Sequence, residues 1–235
     1  MFFKTIPIIL ILFLFHPSSA LAATCQRNTP VSIEVVNDIQ PTEYDFTQNT
    51  RMLDRIGRGA YSPYGEGHKT YLRGLTVGRQ SLTYEIRIEE QKTHADMMCL
   101  YVGRIKVLMR YNPTVYVSNE FPEGSPIFYR VLAHEQTHVG ITTDVLRHYA
   151  PILRERLKAA PIGNDIFGPY FQGEREIAKA ELHEGVKATV SALHQEMQLE
   201  SQRRHNRYDD EELQEGLSYN RDVAKRLEDI FKIHN

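Results

Sequence analysis

The chain has 235 residues, with 28 basic and 30 acidic side chains that give a formal net charge of −2. A chain of this length can bury one good core but hardly two independent ones, so we expect a single domain. Because charges of both signs are mixed along the chain, no basic surface argues for nucleic acid and no polybasic segment argues for lipid binding.

Residues 1–22 have the pattern of a secretory signal peptide. Lys4 precedes an apolar run over residues 6–15, and small residues follow it and end in Ala20-Leu21-Ala22. The apolar run is too short for a comfortable membrane span. We therefore expect cleavage after this segment, export to the periplasm or the medium of a bacterial cell, and no stable membrane insertion afterwards.

Cys25 and Cys99 are the two cysteines of the sequence. An exported chain meets an oxidising compartment, so we expect a disulfide that ties the N-terminus of the mature chain to the domain. Two free thiols are the alternative. Metal ligation is disfavoured because the two cysteines lie far apart and neither has a Cys-x-x-Cys partner. Thr24 stands where a lipoprotein signal needs Gly, Ala or Ser, so lipid anchoring is not expected.

Residues 23–122 are predicted to be rich in β-strand, because apolar and polar side chains alternate with period two. The predicted strands cover residues 31–36, 71–77, 82–88, 100–109 and 114–117. Gly78-Arg79-Gln80 and Asn112-Pro113 are typical of turns between them. The pattern predicts an antiparallel or mixed sheet of four to five strands, with a short helix around Met52 and Leu53.

Residues 123–235 are predicted to be helical. Ser125 before Pro126 is a suitable N-cap and first-turn pair, and Pro151 is expected to end the helix that they begin. The predicted helices span residues 126 to about 150, 152–160, 173 to about 204, and about 210 to 231. A β-rich half followed by helices indicates the α+β class, in one domain over residues 23–235.

The first of these helices carries His134-Glu135-Gln136-Thr137-His138. Positions four apart lie on one face of a helix, so His134 and His138 can present two imidazole nitrogens to a single ion, with Glu135 beside them. Two neutral imidazoles and a third protein group hold Zn²⁺, a water takes the fourth position, and a Glu accepts its proton. The surrounding residues are uncharged, which favours a buried metal site over a pair of structural histidines.

These residues resemble the metal motif of the zincin superfamily of zinc metallopeptidases. The chain further resembles a family of bacterial exported zinc-dependent protease domains, in which a lone strand cysteine, the His-Glu-Gln-x-His helix, a Tyr-Asp segment and a glycine follow in that order. The matching positions are Cys99, residues 134–138, Tyr208-Asp209 and Gly216. The resemblance implies a zincin-like fold, one zinc ion, a peptide or protein substrate, and hydrolysis with Glu135 as the general base.

The third zinc ligand has several candidates. In the resembled family a metal-capable side chain stands immediately before the glycine, which places Glu215 first. Glu200 and Glu196 come next because they fall on or near the apolar stripe of the long helix, where a carboxylate is costly unless it is paired or coordinated. Asp144 is disfavoured, since in a continuing helix it lies about 120° around and ~9 Å along from His138.

Two further points stay open at the level of sequence. Tyr208, Tyr219 and His205 are candidate donors to a reaction oxyanion. The alternative function is a non-catalytic exported zinc-binding scaffold or interaction protein that uses its C-terminal helices to bind a partner. An amidase that acts on cell-wall peptides would share the chemistry of the peptidase and differ only in its substrate.

Overall fold

A computed structural model describes residues 25, 29–58, 72–93, 97–161 and 167–233, with only the backbone for residues 167 and 216–233. The predicted signal peptide and the side chain of Tyr219 lie outside the described residues. Among the helices that are described, none is long and apolar enough to cross a membrane.

Five strands form one sheet around a long central strand. They are β1 (Ser32–Ile39), β2 (Glu43–Asp45), β3 (Gly74–Lys92), β4 (Met97–Val117) and β5 (Phe167–Phe171). β3 runs antiparallel to β4 along almost all of it, while β5, β1 and β2 follow one another along the opposite edge of β4. Of these three, β5 is antiparallel to β4, and β1 and β2 are parallel to it. β4 is therefore covered on both edges, which explains why it supplies most of the buried side chains of the sheet.

The predicted turn at Gly78-Arg79-Gln80 is wrong, because β3 continues through these residues without a break. A glycine is required at position 78 for another reason, which is the close approach of a neighbouring ring. A Cβ atom at Gly78 would lie 2.1 Å from Cε2 of Tyr111, whose ring on the neighbouring strand is 1% exposed. Gly78 thus provides the space that the Tyr111 ring fills, and the position marks a close approach within the sheet.

The predicted turn at Asn112-Pro113 is also wrong, since both residues lie within β4. Tyr111 accepts a hydrogen bond from the backbone N–H of Gln40, so its peptide groups face the edge that carries β1. Successive residues of a strand face opposite edges, and Pro113 therefore faces the same edge as Tyr111. β1 pairs only as far as Tyr111 and β2 begins to pair at Thr114. Pro113 has no backbone N–H to donate, but it lies in the gap between β1 and β2. No hydrogen bond of the sheet is therefore lost at this position.

The helices are α1 (Thr50–Ile56), α2 (Pro126–Ala159) and α3 (Arg175–Ile233), with a short 3₁₀ turn at Gln172–Glu174 before α3. The predicted start of α2 is confirmed, because the Ser125 hydroxyl accepts a hydrogen bond from the backbone N–H of Phe128 at 3.2 Å. The α+β class is confirmed as well. The short helix predicted around Met52 and Leu53 is α1, and Leu53 is buried.

The predicted end of α2 near Ala150 is wrong, because Pro151 lies inside the helix. An interior proline removes one hydrogen bond and crowds the carbonyl four residues earlier, at a cost of about 3 kcal/mol. Ala150, Leu153 and Leu157 are buried around it and belong to the main hydrophobic core. Burying leucine side chains contributes about 1.5–3 kcal/mol each, which offsets the cost of the proline.

The two predicted C-terminal helices are in fact the single helix α3, which passes without a break through residues 204–210. The predicted apolar stripe of this helix is buried: Leu182, Val186, Val190, Leu193 and Met197. It packs with α2 and β4 in one core cluster. The two long helices therefore lie against each other beside the sheet, and the C-terminal half of α3 runs past the metal motif of α2.

The predicted disulfide between Cys25 and Cys99 is confirmed. It joins residue 25 to β4, and Cys99 is fully buried there.

We expect Gly78→Ala to destabilise the protein by about 1–3 kcal/mol, because the added methyl group overlaps a buried ring that has no room to move. Chemical denaturation of the metal-free protein measures the effect. Gly140→Ala is the matched control. Gly140 lies within α2, no atom of the described residues beyond the adjoining turns of the helix comes within 4 Å of its would-be Cβ, and alanine there should stabilise the helix by up to about 1 kcal/mol. Equal effects of the two substitutions would contradict this account of Gly78.

Candidate metal centre

The metal motif lies on the flank of α2 that meets α3. Val131, Glu135, Thr142 and Val145 form the buried face of the helix, which packs toward the sheet. The two histidines of the motif are offset from that face and partly exposed, with 24% of the His134 side chain and 12% of the His138 side chain accessible. They face the part of α3 that begins at His205.

Three potential ligand atoms converge between the two helices. Nε2 of His138 lies 3.1 Å from Nε2 of His134 and 3.0 Å from Oδ1 of Asp209, and the remaining side of the triangle, from His134 to Asp209, is 3.5 Å. Zinc binds nitrogen and carboxylate oxygen at about 2.0–2.2 Å with tetrahedral geometry, which places ligand atoms about 3.3–3.5 Å apart. The observed triangle is close to one face of such a tetrahedron.

The environment of the Asp209 carboxylate also fits a bound metal ion. Its Oδ1 atom is buried and has no hydrogen-bond partner in suitable geometry among the described residues. Buried polar atoms nearly always have such a partner, and an orphaned one requires an explanation. A cation bound to both imidazoles would satisfy this oxygen. His134, His138 and Asp209 therefore fit a metal ion, and they form the group of potential ligands found within the described part of the chain.

The carboxylates favoured from the sequence lie elsewhere. Glu196 makes a bidentate pair with Arg156 at 2.7 and 2.8 Å, and Glu200 pairs with two arginines of its own helix. Asp144 and Glu215 are exposed and are not members of the metal-ligand group. The structure thus brings together His134 and His138 as expected, and it places Asp209 rather than Glu215 beside them.

A signal for Asp209 exists in the sequence. The apolar stripe of α3 ends at Met197, and the same helical spacing then continues through Ser201, His205, Asp209 and Glu212. A helix face that turns from apolar to polar while it stays packed is typical of a functional site. The predicted helices do not include Asp209, because one ends near residue 204 and the next begins near residue 210, so that Asp209 falls in the predicted loop between them.

Glu135 lies deeper than the ligands. It is 5% exposed, and the Thr76 hydroxyl of β3 lies 2.8 Å from its Oε2 and 2.9 Å from its backbone oxygen. Burial raises the pKa of Glu135, while the neighbouring His138 and His134 oppose that shift. A carboxylate with a raised pKa beside a metal-binding group is a candidate for proton transfer near neutral pH.

A second set of side chains surrounds the ligands. Oε2 of Glu212 lies 2.5 Å from Nδ1 of His134, and Nδ1 of His205 lies 2.8 Å from Nδ1 of His138. The ring of Tyr208 lies against both metal-motif histidines, with centroid distances of 5.1 and 5.4 Å. Burial raises the pKa of the Tyr208 phenol, so this hydroxyl stays protonated and able to donate.

These positions separate the candidate oxyanion donors. Tyr208 flanks the rings of both histidines, whereas His205 lies behind His138, on the nitrogen opposite to the one that faces Asp209. Burial and the neighbouring His138 lower the pKa of His205 to about 4, so its imidazole is neutral at physiological pH. Tyr208 is the better placed donor of these two.

Comparison of the chain with protein-family models, with curated proteins and with solved structures gave no match.

Proposed function

We propose that the protein is an exported zinc-dependent metallopeptidase that hydrolyses peptide bonds in peptide or protein substrates. The observation that supports this most directly is the triangle of His134, His138 and Asp209, whose sides of 3.1, 3.0 and 3.5 Å match the spacing of zinc ligands. Nitrogen and carboxylate donors of this kind suit Zn²⁺.

The number of ligands favours an enzyme over a zinc-binding scaffold. Structural zinc sites have four protein ligands, whereas catalytic sites have three and leave one position for water. Three protein side chains form the group within the described residues. Glu135 adds a second argument, because a buried carboxylate with a raised pKa lowers stability and is retained where its chemistry is useful.

The proposed mechanism assigns one role to each of two neighbouring side chains. Zinc, when bound, supplies the Lewis acidity that activates a water and polarises the substrate carbonyl. Glu135 accepts the proton of the attacking water and passes it to the leaving amine. Tyr208, which packs against both histidine rings, donates its hydroxyl hydrogen to the oxyanion.

Export is supported by the Cys25–Cys99 disulfide, because such bonds form and persist in oxidising compartments. Together with the signal-peptide pattern of residues 1–22, it supports the proposal that the protein acts in the periplasm or the medium.

Glu135→Gln should reduce cleavage of a casein or peptide-library substrate by about 10²–10⁴-fold, because the amide cannot accept the proton. Zinc content should match that of the parent, and thermal unfolding should occur at the same or a higher temperature, since the amide is similar in size, is uncharged and can still accept the hydrogen bond of Thr76. Glu215→Gln, at an exposed position of the same charge, is the control and should retain activity. Undiminished cleavage by Glu135→Gln would remove Glu135 from the mechanism.

Asp209→Asn should weaken zinc binding strongly, whereas Glu215→Gln should leave it unchanged. Competition with a chromophoric chelator measures both affinities, and elemental analysis of the purified parent should give one zinc ion per chain. Saturation at about 100 times the dissociation constant should stabilise the parent by about 2.7 kcal/mol, and this gain should disappear in Asp209→Asn. The reverse pattern would make Glu215 the ligand, and tight zinc binding without any turnover would support the scaffold.

A further inference from the structure

A chain of polar side chains leads from the partly buried His138 into the sheet. Nδ1 of His205 lies 2.8 Å from Nδ1 of His138, and the other nitrogen of His205 lies 3.0 Å from the Thr142 hydroxyl. Thr142 in turn lies beside Tyr111 of β4, close enough for its hydroxyl to act on the phenol. The chain therefore connects α2, α3 and the central strand, and its far end is anchored on a ring in the core.

The chemistry of the groups fixes the direction of the hydrogen bonds. A histidine that offers its Nε2 lone pair to a cation carries its hydrogen on Nδ1 and must donate from there. The partner of that N–H is Nδ1 of His205, which can accept only if the His205 hydrogen is on Nε2. That hydrogen then points at Thr142, whose hydroxyl can donate to the oxygen of Tyr111.

The chain allows little freedom at its inner end. Thr142 is 3% exposed and Tyr111 is 1% exposed, so water does not compete easily for their hydroxyl groups. Gly78 makes room for the Tyr111 ring, which holds the phenol in place against β3. Packing as well as hydrogen bonding therefore positions the side chains that lead from Tyr111 through Thr142 to His205.

His134, the other histidine of the metal motif, is supported in a different way. Nδ1 of His134 faces the carboxylate of Glu212, whose side chain is 32% exposed and also lies 3.8 Å from Arg130. A partly solvated carboxylate can shift without great cost. The support behind His138 is partly buried at His205 and continues to the buried Thr142, so it is the more rigid of the two.

We propose that His205 is a positioning residue that fixes the tautomer and the ring orientation of His138, so that its Nε2 lone pair is presented to the metal. The proposal rests on the zinc site proposed above. Partners that orient a metal-bound histidine typically contribute 10–100-fold to metal affinity. His205 would exert this effect without touching the metal or the substrate.

A pair of amide substitutions tests the proposal. Asn places its amide oxygen where His205 has Nδ1, and Gln places its amide near the position of Nε2. His205→Gln and His205→Ala should therefore lose about 10–100-fold in zinc affinity, while His205→Asn should bind zinc more tightly than His205→Gln. His183→Asn, at an exposed position of the same helix, is the matched control and should bind like the parent.

Thermal unfolding of the metal-free variants separates positioning from folding. The metal-free His205→Asn and His205→Gln variants should unfold at similar temperatures, although their zinc affinities differ. Equal zinc affinities for the two, or affinities that simply follow the unfolding temperatures, would overturn the proposal. Thr142→Val should weaken zinc binding in the parent but cause no further loss in His205→Ala, because Thr142 acts through His205.

The histidine tautomer gives a readout that is independent of activity. In long-range ¹H–¹⁵N NMR spectra of the zinc-loaded parent, His138 should carry its hydrogen on Nδ1 and His205 should carry its hydrogen on Nε2. A hydrogen on Nδ1 of His205 would overturn the proposal. If the parent takes up no zinc at all, the proposed function fails. If the parent binds zinc and the His205 variants bind it equally well, only the positioning role fails.

Discussion

The contact between α2 and α3 is the interaction on which the candidate site depends. The imidazole of His138 belongs to one helix and the carboxylate of Asp209 to the other, and they meet at 3.0 Å only because the two helices pack side by side. That packing is produced far from the site, by the buried stripe from Leu182 to Met197 against the core side of α2. The apolar half of α3 thus fixes the position of its polar half.

This arrangement lowers the stability of the fold at one end of the core. His138, His205, Asp209 and Glu135 bring several ionisable groups together at the margin of a packed interface. Burial raises the pKa of Glu135 and lowers the pKa of His205, so it disfavours the charged form of each. A hydrophobic stripe that continued along α3 would be more stable. A bound metal would compensate this cost, since a cation balances the carboxylate of Asp209 and satisfies its Oδ1 atom, which has no hydrogen-bond partner in the part of the chain that the structure describes.

The features that could be predicted from the sequence are those that depend on local pattern. The opening strand, the cap at Ser125, the stripe of α3, the disulfide and the pair of histidines four residues apart follow from spacing or residue type. The errors concern residues whose meaning depends on distant partners. Gly78, Pro113 and Pro151 are common breakers of regular structure, and each is accommodated by a ring, a gap between strands or a buried helix face.

The third member of the metal group illustrates the same limit. Asp209 becomes a plausible ligand only when α3 is continuous, and that continuity depends on its packing against α2 rather than on the residues between 204 and 210. Helix boundaries are decided by the balance of local propensity and tertiary contact, and here tertiary contact prevails. Once α3 is read as one helix, the polar continuation of its buried stripe leads directly to Asp209.

The sheet contributes to the site through two points of close approach. A Cβ atom at Gly74 would lie 2.6 Å from Val131 and 2.7 Å from Oε1 of Glu135, so β3 comes as near to α2 as a glycine permits. Two residues further along, Thr76 reaches the Glu135 carboxylate. At the other point, Tyr111 supports the chain that ends on His138. The proposed base is thus held by β3, and one proposed ligand by β4. Side chains fixed by two paired strands keep their relative positions more accurately than side chains on loops, which is what a proton transfer beside a metal ion requires.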